Sequence, residues 1–141
     1  MKPHDPAPFA GVWELDPETL NYQHGRPGRR AIYTIEEIPG GLRFSLDADD
    51  ADGKRLEFSY GGALDGADKA IPNQKDVVLV LGWTEDGRIE SVLKRDDRVV
   101  DRWTRELLPD RNTMRIVQWG RKPDGSEFQN VGLYRRRDQK Y

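Results

Sequence analysis

The stretch FAGVWELDPETL, residues 9–20, places a large aromatic two positions after a glycine near the start of a strongly polar chain. Residues 10–16 read as a short apolar strand that Asp16-Pro17 brings to an end. Asp16 can cap and Pro17 can take a first helical position, so DPETLNY is the best helical candidate, a single turn. No amphipathic helix is evident elsewhere.

Moving outward, turn chemistry dominates. Asp-Gly occurs at 52–53, 65–66, 86–87 and 124–125, with further turns at Pro39-Gly40-Gly41, Asp96-Asp97 and Pro109-Asp110-Arg111-Asn112. Short segments between such marks are the signature of an antiparallel sandwich or barrel. Strands are expected at 10–16, 30–38, 41–48, 54–61, 76–84, 88–95, 98–108, 113–121 and 126–136. All nine prolines fall outside these spans, as ladder N–H groups require. Leu42, Phe44 and Leu46 alternate with Arg43, Ser45 and Asp47, and Leu56, Phe58 and Tyr60 alternate with Arg55, Glu57 and Ser59. Period two with one wet face means antiparallel strands on a single core.

An open sheet of this width leaves two unpaired edges, which closure removes. The expected fold is therefore all-β, an up-and-down antiparallel barrel of about 8–9 strands. It forms one domain over 1–141, with an N-terminal arm at 1–9 and a candidate lid loop at 17–30. The other long connection is 62–75. Strand 76–84 is apolar on both faces, so the arm, the 17–30 loop or a second subunit is expected to cover its outer side. The facing of 30–38 and 126–136 stays open, since Val131 and Leu133 make both faces of the latter apolar.

Composition narrows the function classes. The 141 residues carry a formal net charge of −2, with a pI near 5.7, and so lack the basic excess of a general nucleic-acid binder. RPGRR at 26–30 and RRR at 135–137 read as solvated surface among acidic neighbours. The absence of cysteine excludes disulfides, thiolate zinc sites and cysteine nucleophiles, and fits a cytoplasmic location. Two histidines, His4 and His24, cannot make a three-histidine metal site. No apolar leader is visible at the N-terminus, and VVLVLGW at 77–83 is too short for a membrane-spanning helix. Neither nucleic acid nor membrane is an expected partner, and no metal or cofactor is expected.

GVWELD at 11–16, DADGK at 50–54, DGADKAIP at 65–72 and PDGSEFQNVGLYRR at 123–136 together resemble the small bacterial lipocalin-like proteins of the calycin type, many of them uncharacterised. The resemblance spans almost the whole chain. It implies a barrel holding a small, largely apolar molecule, with Trp13 packed across the closed end. It carries over no catalytic residue. The Gly-x-Trp-x-Gly pattern of haem-binding nitrobindin-like barrels is not matched, because Leu15 stands at the second glycine, although His24 leaves a haem role open.

The candidate site residues follow from alternation. Val99, Asp101, Trp103, Arg105 and Leu107 share one face of 98–108. If Trp103 points inward, Arg105 does too and can hold a carboxylate or enolate by a bidentate pair. In the empty barrel Arg105 is expected to pair with Asp101 or a neighbour. Gln118 lies among Met114 and Ile116, and Asn130 among Phe128 and Tyr134, as lumenal hydrogen-bonders or internal ties. Tyr33 and Tyr60 suit a pocket wall with a hydroxyl handle, and Phe44 and Phe58 complete the candidate ligand-binding set. His24, in the candidate lid, is weighed as an acid–base group against a solvated loop residue.

Three functions compete. One is binding of a small hydrophobic molecule in the lumen. Another is a cofactor-free cyclase or isomerase that uses the shaped cavity, as in natural-product biosynthesis. The last is a self-filled barrel acting as an interaction module, or a homodimer joined through 76–84.

Overall fold

Each of the four Asp-Gly pairs turns the chain: Gly53, Gly66, Gly87 and Gly125 all have positive φ, between 75° and 89°. At Asp96-Asp97 both residues are left-handed, φ 51° and 64°, the two-residue hairpin geometry that matches strand twist. The computed structural model describes residues 4–71 and 74–137. Its strands are β1 (Gly11–Tyr22), β2 (Arg30–Ile38), β3 (Gly41–Asp49), β4 (Arg55–Ala63), β5 (Asp68–Ile71), β6 (Gln74–Trp83), β7 (Ile89–Arg95), β8 (Arg98–Leu107), β9 (Thr113–Arg121) and β10 (Glu127–Arg136).

All ten form one antiparallel up-and-down sheet in the order β4-β3-β2-β1-β10-β9-β8-β7-β6-β5. The curl brings β1 against β10, so the two ends of the chain are laced together. The expected strands are all present, and β5 adds one inside the connection at 62–75. The sheet curls as expected, but its ladder does not run all the way round, so the two edges that closure was expected to remove remain. β4 and β5, consecutive in sequence, stay unpaired to one another and form the two margins of the sheet.

The helical turn expected at DPETLNY is instead a wide bulge in β1. Asp16 faces Leu133 while Asn21 faces Val131, so residues 17–20 stand opposite Gly132 alone. The Thr19 hydroxyl donates to the Asp16 carbonyl at 2.7 Å and accepts the Leu133 N–H at 2.9 Å. Bulging is what admits Pro17 into a strand, so the rule that every proline lies outside the strands fails there. Pro3 and Pro72 lie outside the described residues, as do positions 1–3 of the arm. The candidate lid shrinks to the loop at 23–29.

Trp13 is fully buried at one end of the barrel, with Phe9, Met114, Ile35 and Leu42 in the same core cluster. Its indole N–H donates to the Phe9 carbonyl at 3.0 Å. The Arg136 guanidinium lies 4.2 Å from the centre of its ring and donates to the carbonyls of Ala10, Pro8 and Arg111. The arm therefore closes this end: Phe9 is buried and His4 packs on Trp83 at 5.1 Å.

On β6 the inner face is Val77, Leu79, Leu81 and Trp83. Val77 and Leu81 are buried and Leu79 lines the interior, whereas Val78 and Val80 face outward. The turn at Leu64–Gly66 borders this outer side at Val80 and Gly82. Burial settles the two open facings. Ala31, Tyr33 and Ile35 of β2 point inward, and so do Phe128, Asn130, Gly132 and Tyr134 of β10.

Candidate functional site

Strand register stacks the inner residues of β6 to β10 in rows. One row is Trp83, Ile89, Arg105, Ile116 and Gly132; the next is Leu81, Ser91, Trp103, Gln118 and Asn130; a third is Leu79, Leu93, Asp101, Gly120 and Phe128. Facing the first strands of this set across the interior are Tyr33, Leu46, Phe58 and Tyr60. Between them lies a cavity of about 480 Å³, also lined by Ser59, Ile71, Gln74, Leu79, Ser91, Leu93 and Trp103. That volume is in the usual range of small-molecule sites, roughly 300–1,000 Å³. A smaller recess of about 90 Å³ shares Tyr33 and Trp103 and extends to Tyr22, Gln118, Asn130 and Tyr134.

Arg105 is 1% exposed. Its Nη1 donates to the Ser91 hydroxyl at 2.7 Å and its Nη2 to the Tyr60 hydroxyl, while Nε is buried without a partner. The guanidinium sits 4.4 Å from the Phe44 ring centre and 5.7 Å from that of Tyr33. No carboxylate among the described residues pairs with it. Of the expected partners, Asp101 does not pair with it, because the Trp103 row lies between them; the Ser91 and Tyr60 hydroxyls do. A permanently charged group is thus held by hydroxyls and aromatic faces. These compensate a buried cation less than a carboxylate does.

Asp101 is half-buried and accepts one hydrogen bond, from the Gln118 amide at 3.2 Å; burial raises its carboxyl pKa. Gln118 Oε1 in turn accepts from Asn130 Nδ2 at 3.3 Å. Asn130 Oδ1 takes the backbone N–H groups of Gln23 and His24, and its Nδ2 also donates to the His24 carbonyl. Asn130 is therefore a tie that holds the 23–29 loop to β10. The His24 ring packs on Phe128 at 4.9 Å, next to the barrel wall. Burial raises the phenols of Tyr33, pushed up to about 12, and of Tyr134.

Of the eight candidate ligand-binding residues, Tyr33, Phe58, Tyr60 and Trp103 line the main cavity. Gln118 and Asn130 line the recess. Phe44 and Arg105 line neither: Phe44 is fully buried beneath the guanidinium, and Arg105 stands behind the Ser91 and Tyr60 hydroxyls. Sequence reasoning missed Ser91. Its signal was present, a small hydroxyl between Ile89 and Leu93 on an otherwise apolar face. Among the described residues no cluster of His, Asp or Glu is arranged to hold a metal ion.

No protein-family model matches the sequence, and no curated protein matches it by sequence. Solved structures do match the fold. Wild-type fluorescent protein UnaG superposes with a TM-score of 0.64 at 16% identity, covering 94% of this chain and all of that one. A zebrafish ileal bile acid-binding protein complexed with cholic acid gives 0.55 at 10% identity, covering 92% and 99%. A bovine odorant binding protein complexed with its natural ligand gives 0.53 at 10% identity, covering 99% and 78%.

Proposed function

We propose that this protein binds a small, largely apolar molecule in the barrel interior, with an acidic group of the ligand anchored by Arg105. Two of the three solved structures that share its fold are of proteins described by the small molecules they bind. The observation that carries the reading is a fully buried guanidinium, free of any carboxylate partner among the described residues, directly behind the wall of a 480 Å³ apolar cavity. A ligand carboxylate reaches it by taking the place of the Tyr60 hydroxyl, which lies on the marginal strand β4 with only one laced neighbour. A cavity of this volume favours a ligand-holding barrel over a self-filled one. The zebrafish protein of the same fold is complexed with an acid, cholic acid, which accords with the anchor.

The test is a titration of tryptophan emission, since Trp103 lines both cavities. Apolar carboxylates should change the emission, and their methyl esters should bind more weakly. Arg105→Met should weaken the acid by roughly 1.5–3 kcal/mol, the scale of a charged hydrogen bond, and leave the ester nearly unchanged. Equal losses for acid and ester would refute the anchor.

A further inference from the structure

Asp101, Trp103 and Arg105 occupy one inner face of β8, and the ladder to β9 is regular across them. Arg105 is buried and Asp101 lies two rows away. Four residues of extended strand separate their α-carbons by about 13 Å. Neither charge is matched by the protein. Arg105 contacts hydroxyls, and the contact of Asp101 is the neutral Gln118 amide; no cation among the described residues pairs with Asp101. Nearby cations are engaged elsewhere: Arg102, next in sequence, faces outward to Glu90, and Lys94 pairs with Asp68.

The surroundings hold Asp101 in place. Gly120, opposite it on β9, has no room for a side chain, since a Cβ there would stand 2.5 Å from the Phe128 ring and 2.8 Å from Asp101 Oδ1. The carboxylate is tied to Gln118, which Asn130 holds in turn. Two preorganised charges of opposite sign, with Trp103 between them, form a template of fixed spacing.

We infer that the ligand is bipolar, with an acidic group for Arg105 at one end and an amine or other cationic donor for Asp101 at the other, joined by an apolar segment that lies over Trp103. This rests on the binding reading above and narrows it to a class. Each ligand end meets a partner left without a counter-charge, fully buried at Arg105 and half-buried at Asp101, so a match of both spacing and sign recovers two interactions at once.

The experiment compares two probes by calorimetry: a medium-chain saturated fatty acid and the same acid with a terminal amine. The amino acid should bind about fivefold more tightly, the order of an ion pair at a half-exposed site. Asp101→Asn, which keeps the Gln118 hydrogen bond, should erase that gain and bring the two probes to equal affinity. Circular dichroism should confirm that the variant is folded. If it is not, charge reversal on the ligand replaces it: a terminal carboxylate instead of the amine should bind more weakly than the plain acid. Equal or weaker binding of the amino acid by the wild-type protein overturns the inference while the binding reading stands. A gain that survives Asp101→Asn also overturns it. If neither probe binds, both readings fall together.

Discussion

Arg105 donates to the Ser91 hydroxyl at 2.7 Å, although Asp101 lies on the same inner face of β8. A hydroxyl orients a guanidinium without neutralising it. Stability alone would favour an apolar residue there, because well-packed hydrophobic replacements of buried charges are often neutral or stabilising. Arg105→Met in the ligand-free protein is therefore expected to match or exceed wild-type stability, by up to about 2 kcal/mol in urea. A loss of more than about 2 kcal/mol would identify Arg105 as a structural residue.

Trp13 and Arg136 should behave as one unit. Trp13→Ala removes a fully buried indole and should cost about 3–5 kcal/mol. Arg136→Met strips three backbone carbonyls of their donor and should cost about 1–3 kcal/mol. The double variant should lose less than the sum, since the guanidinium packs on the indole it would otherwise shield. Full additivity in denaturation would show that the two act separately.

The facing of β6 separates two neighbours. Leu81→Lys forces an amine into the closed core and should unfold the protein or leave it aggregated. Val80→Lys points to the outside and should change stability by less than about 1 kcal/mol. Similar melting temperatures for both variants would mean that the register is wrong.

Alkaline pH should loosen the barrel from within. Burial raises the Tyr33 phenol to about 12 and the Tyr134 phenol as well, against about 10 in an unfolded chain. Between those values the unfolded state releases protons that the folded state keeps. The contribution is complete below pH 10 and is lost as the pH rises through the folded values. Absorbance near 295 nm should show these phenols ionising late, together with unfolding. Their early ionisation in a folded protein would place them in solvent.

Asn130→Ala should free the loop at 23–29. The Gln23 and His24 amides lose their acceptor, and their hydrogen exchange should accelerate while that of the β9 and β10 cores stays slow. Unchanged exchange would mean that other contacts hold the loop.

The strands were legible because their ends are written in residues with a single strong preference. Asp-Gly and Asp96-Asp97 occupy left-handed turns, and a two-residue turn dictates its own register. β5 escaped because DKAI is four residues long and shows no period against its flanking turns. Pro17 misled because a bulge suspends the ladder that makes proline costly, and no local signal separates a bulge from a strand end. Alternation put Arg105, Trp103 and Asp101 on one face. It could not supply the partner of Arg105, since Tyr60 and Ser91 come from strands 45 and 14 residues away, and which rows meet is decided by the curl of the whole sheet. Phe44 shows the same limit: alternation turned it inward, but its depth beneath the guanidinium depends on the taper of the closed end.

The unlaced margins at β4 and β5 give the molecule an adjustable girth. In a barrel with a continuous ladder, circumference is set by strand number and shear, and a wider guest must break backbone hydrogen bonds. Here the wall parts between two strands that share none, and Phe58, half exposed at 50%, already stands at the parting. Dilation then strains only side-chain contacts. On the binding reading proposed above, such a container would select poorly by the thickness of its cargo, and discrimination would fall to the spacing of polar groups along β8, on the opposite, laced wall.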